Sequence, residues 1–103
     1  MKMYICIKDS TPVGMAMNAA AHAGLMCYLK YQERASMKQW LETSFKKVTC
    51  AVTDAEFAIL KELPDAIVVT ESRLNNAELA VVLPPRPSND PFPEFVNLIK
   101  LWK

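Results

Sequence analysis

The stretch Gly14-Met15-Ala16-Met17-Asn18-Ala19-Ala20-Ala21-His22-Ala23-Gly24 decides how the chain is read. It holds both glycines and the single histidine of the 103 residues. An apolar run and a turn precede it, and it opens the longest helical pattern in the sequence. Its small side chains predict a helix seated very close to a sheet. Asn18 and His22 are four residues apart and share one face of that helix. A site, if the chain has one, is expected here.

Outward from this stretch the pattern alternates between buried strands and helices. Met3-Tyr4-Ile5-Cys6-Ile7 does not alternate polar with apolar, which suits a strand covered on both faces. Lys8 to Pro12 ends it, with Ser10 or Thr11 able to cap the helix and Pro12 tolerated in a first turn. The helix runs from about Gly14 to Gln32. Gly24 costs about 1 kcal/mol inside it, and close packing or a kink would account for its presence. A break at Glu33–Ser36 leads to a shorter helix, Met37 to Glu42. Val48–Val52 is a second strand. A third helix starts at Asp54, read as its cap, with acidic residues in its first turn where the helix dipole favours them. Ala66–Thr70 and Leu79–Leu83 are two more strands, joined by a polar link. After a proline-rich loop, Phe95, Leu98, Ile99 and Trp102 share one side of a helix expected from Pro93 to Lys103.

Strands separated by helices are expected to run parallel, with right-handed crossovers, whereas the short link between the last two permits antiparallel pairing. The reading is one α/β domain over residues 1–103, a mixed four-stranded sheet with helices on both faces.

Composition narrows the function. The formal net charge is +1 and 22% of residues are charged, which describes neither a disordered chain nor a basic nucleic-acid binder. Lys30, Arg34, Lys38, Lys46 and Lys47 are interrupted by Glu33 and Glu42, so they read as an ordinary mixed surface. Cys6, Cys27 and Cys50 are odd in number, far apart and set in apolar runs. They are expected to be buried reduced thiols, not metal ligands. No segment has the roughly 18 apolar residues of a membrane span, and no leader pattern opens the chain. A cytoplasmic protein is expected, without membrane partner, metal or cofactor.

The order of elements and the spacing from Gly14 to His22-Ala23 resemble the peptidyl-tRNA hydrolase II family. Trp40 in a short helix, Lys47-Val48 at a strand start, Glu56-Phe57 with Leu60 in a helix, and a fourth strand running into Pro84 extend the likeness over nearly the whole chain. The string Asn18-Ala19-Ala20-Ala21-His22 is similar to an uncharacterised bacterial branch of that fold, with an Asn-Ala-x-Ala-His segment. The resemblance implies a three-layer α/β/α domain with a mixed four-stranded sheet, and a homodimer. It also implies tRNA or a small molecule as ligand. The family places a lysine after the motif glycine, where Met15 stands, and a glutamine four residues on, where Ala19 stands. Its Asp-Ala-Gly-x-Thr segment corresponds to Glu71-Ser72-Arg73-Leu74-Asn75, which keeps only the acid.

Two readings follow. In the first, the chain hydrolyses an ester on an aminoacyl- or peptidyl-RNA. His22 or Glu71 would activate water, and Lys8, Asp9 and Asn18 would bind substrate at the carboxyl ends of the strands. In the second, the chain is a non-catalytic binding or interaction module on the same fold, having lost the motif lysine and glutamine. The bland expectation for His22 is a buried ring tied to a backbone carbonyl at the helix–sheet junction.

Overall fold

The computed structural model describes residues 1–102. Strand β1 (Lys2–Lys8) leads into helix α1 (Val13–Tyr31), then a short helix α2 (Ala35–Gln39) that widens into a π-turn over Trp40–Ser44. Strand β2 (Lys46–Val52), helix α3 (Asp54–Leu60), strand β3 (Ile67–Glu71) and strand β4 (Ala77–Leu83) follow, with 3-10 turns at Ser72–Leu74 and Glu94–Leu98.

The sheet order is β2-β1-β4-β3, with β1 and β2 parallel and β4 antiparallel to both β1 and β3. β1, β2 and β3 therefore point the same way, as expected from the helices between them. β4 fills the gap between β1 and β3. A bulge at Val69/Thr70 shifts the register of the β3–β4 pair near its outer end.

Alternation along β1 feeds two cores. Met3, Ile5 and Ile7 pack under α1 with Ala16, Ala19, Ala23 and Cys27. Tyr4 and Cys6 pack on the other face with Phe57 and Leu60 of α3, Val96 and Ile99. This is the three-layer arrangement, and the alanines of α1 make the close helix–sheet contact. The glycines do not: a Cβ on either Gly14 or Gly24 would meet nothing within 4 Å. Gly14 is exposed, and Gly24, half-buried, borders a cavity with Tyr28, Trp40 and Leu41.

Several local expectations are corrected. The residue before α1 is Pro12, and no side chain caps that helix. Thr53, not Asp54, caps α3: its hydroxyl accepts from the Glu56 N–H at 3.1 Å, and Glu56 accepts from the Thr53 N–H at 2.9 Å. This reciprocal pair is a capping box. The C-terminal helix is replaced by the Glu94–Leu98 turn and an extended segment. There the Ala51 N–H donates to the Lys100 carbonyl at 2.9 Å and the Trp102 N–H to the Thr49 carbonyl at 3.0 Å. This segment covers the free edge of β2, which would otherwise present unpaired backbone groups. Lys103, the last residue of the expected helix, lies outside the described residues.

All three cysteines are free and buried. Cys6 and Cys50 are register partners across β1 and β2; their mutual hydrogen bond, then burial, holds the Cys6 thiol above its ordinary range. Burial pushes the Cys27 thiol up to about 12. Neutral, inaccessible thiols follow from both.

Candidate functional site

The carboxyl ends of β1, β2 and β3 and the amino end of α1 meet at one edge of the molecule. In an α/β sheet this edge offers loops free to carry chemistry. Every residue singled out from the sequence lies on this edge or on the first half of α1, and the faces they occupy differ.

Asn18 and His22 are exposed. Ala16, Ala19 and Ala23 turn inward on α1, and at 3.6 residues per turn Asn18 falls about 200° around the helix from Ala16. His22 follows one turn later, on the same outward side. No protein group hydrogen-bonds either side chain among the described residues. The expectation of a His22 sealed against the sheet is overturned: its ring is open to solvent and free to meet a ligand.

Lys8 does not join them. As an even position of β1 it belongs to the α3 face, where its ammonium sits 4.5 Å above the Phe57 ring and 4.0 Å from the Asp54 carboxylate. The sheet separates it from α1. Asp9 stands in the turn; its N–H donates to the Val52 carbonyl at 2.8 Å. Asp9 borders a cavity of about 210 Å³ with Ala51, Lys100 and Trp102. Glu71 ends β3 half-buried. Its carboxylate accepts from the Arg73 N–H at 3.0 Å and so caps the turn that follows.

Of the two motif positions that depart from the hydrolase pattern, Ala19 is buried at 3% exposure and Met15 half-buried. The polar groups left on the outward side of the motif are Asn18 and His22. Just before the helix, Thr11 is buried and its hydroxyl has no partner among the described residues.

A polar cluster not foreseen from the sequence sits at the opposite edge. Asp65 is buried. One of its oxygens accepts from Arg86 at 3.1 Å and the other from Arg34 at 3.4 Å. The Arg34 guanidinium also stacks 4.0 Å from the centre of the Tyr31 ring, whose hydroxyl donates to the Asp65 carbonyl at 2.9 Å. A cleft of about 500 Å³ opens beside these groups. Both guanidiniums are engaged by carboxylate, so the cluster ties three loops together. Arg34 is thereby removed from the basic series around α2, and Lys38 pairs with Glu33 at 3.4 Å, which leaves the mixed surface expected from the sequence. No group of three or more His, Cys, Asp or Glu side chains among the described residues could hold a metal ion. No described helix is long and apolar enough to cross a membrane.

The mixed sheet in the order 2-1-4-3, with α1 on one face and α3 on the other, defines a three-layer α/β protein with its motif helix beginning at the carboxyl edge. The family model described as peptidyl-tRNA hydrolase PTH2 matches residues 1–79, and the chain belongs to that family. No curated protein is significantly similar to it.

Proposed function

We propose that this chain is a homodimeric hydrolase of the ester that joins a peptidyl or aminoacyl group to the terminal ribose of a tRNA. Its Asn18-to-His22 string supports assignment to a branch of the family that lacks the motif lysine and glutamine. The observation that carries this reading is His22: in the frame of the family motif, it is solvent-open and unpartnered. An imidazole can take and return a proton. His22 removes a proton from water as its oxygen attacks the ester carbonyl. It then delivers that proton to the ribose oxygen as the carbon–oxygen bond breaks, leaving a free carboxylate and an RNA hydroxyl. Asn18, one turn earlier, hydrogen-bonds the substrate beside it. Glu71 keeps the acid of the third-strand loop and, with its carboxylate on the Arg73 N–H, shapes that loop. Asp9 serves the substrate from the turn after β1, whereas Lys8, held on the far face of the sheet by Phe57 and Asp54, does not reach it.

The alternative, a binding module without turnover, is supported by Met15 and Ala19. Neither side chain can polarise a carbonyl, and Ala19 is buried. One experiment separates the two. Folded protein in excess is incubated with peptidyl-tRNA and release of free tRNA is followed. Turnover is expected, and His22→Ala is expected to lower it about 100-fold with the melting temperature unchanged, because the residue is exposed. A rate no higher than buffer would overturn the hydrolase reading.

A further inference from the structure

We propose that the cavity beside Gly24 binds a small aromatic carboxylate, with its ring between α1 and the π-turn and its charge on the Lys47 ammonium. Gly24, Leu25 and Tyr28 of α1 form one wall. Trp40 and Leu41 of the π-turn, with Phe45 just after it, form the other. The sheet order leaves room for the cavity. α1 packs over β1, β4 and β3, so the α1-facing side of β2 is left to the π-turn. Lys47 of β2 is the register partner of Met3, which is buried under α1, and so points to the same side.

Glycine is unfavourable inside a helix. Close packing does not demand it here, since a Cβ at Gly24 would meet nothing within 4 Å. What the glycine preserves is the cavity itself, about 200 Å³. An apolar cavity of about 150 Å³ takes up benzene, so there is room for one ring or two fused rings. The facing wall is fixed by hydrogen bonds. The Trp40 indole N–H donates to the Lys46 carbonyl at 2.8 Å, and the Phe45 N–H to the Trp40 carbonyl at 2.7 Å. Phe45 ends the turn with φ at 54°, in the left-handed region, which is strained for an aromatic residue. Its ring is 55% exposed and tilted on Trp40, with centroids 5.0 Å apart. The strain is spent on holding an aromatic face open beside Gly24.

Charge decides the class of ligand. The Lys47 ammonium lies 3.4 Å from the centre of the Phe45 ring and 5.3 Å from that of Trp40. It donates to the Phe45 carbonyl at 3.3 Å, and no carboxylate pairs with it among the described residues. The aromatic pair therefore already holds a cation, and a cationic ligand is repelled. A carboxylate at the mouth meets an ammonium without an acidic partner. A nucleobase would leave its polar edge without partners, because the walls are almost wholly aliphatic and aromatic. Gly24 is two residues beyond His22, about 200° round the helix. The cavity and the exposed histidine lie on different sides of α1, and the inference is independent of the ester chemistry.

Calorimetric titration of the full chain with naphthylacetate is expected to show one site per chain, with a dissociation constant of about 1 mM or below. Naphthylmethylamine, the same rings bearing a cation, is expected to bind about fivefold more weakly. Gly24→Leu fills the cavity and is expected to weaken binding of the acid about tenfold. Its thermal melt by circular dichroism is expected to be no lower than wild type, because leucine is the better helix former. Lys47→Glu, at an exposed position, is expected to reverse the preference, so that the amine binds more tightly than the acid. No heat from naphthylacetate at concentrations up to about 10 mM overturns the site. Equal binding of acid and amine by wild type, or a Lys47→Glu chain that still prefers the acid, overturns the class of ligand. Unchanged binding by folded Gly24→Leu overturns the location. Leu41→Cys linking two copies under mild oxidation, with no binding of the acid, overturns the proposal in favour of a face between copies. Failure of the peptidyl-tRNA assay moves none of these readouts.

Discussion

Asp65 accepts from Arg86 through one carboxylate oxygen and from Arg34 through the other. Its side chain is 12% exposed and that of Arg86 13%, so water does little to screen the pair. Removing the carboxylate would leave the buried Arg86 guanidinium with only the exposed Asp90 carboxylate, 3.8 Å away, to balance its charge. Asp65→Ala is expected to lower stability by about 3 kcal/mol, read as a fall in the urea midpoint. None of this was legible in the sequence. Asp65 stands in a helix-stopping Pro64-Asp65 pair, and its partners are 31 and 21 residues away in other loops. His22 presents the reverse case. Its place on α1 was legible, but its exposure was not. Alanine surrounds it in the sequence, so small residues fill every side of the helix and give no sign of which side faces the sheet.

α1 shows how far pattern alone carries an element. Its span was readable to within a residue or two because a long run without breakers follows a turn. Its orientation was misread at Gly14 and Gly24, which face open space, while Ala16, Ala19 and Ala23 make the close contact. Ala23 has no exposed surface, and a larger side chain there must push α1 away from the sheet. Ala23→Leu is expected to cost about 1–3 kcal/mol, seen as a lower melting temperature. The C-terminal segment shows the opposite limit. The spacing of Phe95, Leu98, Ile99 and Trp102 imitates a helix, but β2 offers an unpaired edge. Backbone hydrogen bonds to Ala51 and Thr49 outweigh the weak local preference. Leu98, counted on the apolar side, is in fact 78% exposed.

At the scale of the molecule, the mixed sheet was legible because buried-type strands and helices alternate so plainly. That β4 inserts between β1 and β3 was not, since no local feature marks which strand is central. The C-terminal segment's cover over β2 has a measurable weight. A chain ending at Leu98 loses the buried Ile99 and the pairing to β2. It is expected to lose about 2 kcal/mol from the isoleucine alone. It should also scatter light in a concentration-dependent way as bare strand edges meet.

The central place of β4 also bears on how the chain can assemble as it is made. Until residues 77–83 emerge from the ribosome, β3 has no neighbour and β1 has one side unpaired. The inner alanines of α1 then lack Ala80 and Val82, two of the side chains they pack with. A nascent chain that has passed α3 therefore holds a two-stranded parallel ribbon with an uncovered helix, too little to be stable by itself. Arrival of β4 completes both halves in one step. Folding is thus expected to be a late, cooperative event and not a strand-by-strand accretion, with the apolar helix exposed to chaperones in the interval.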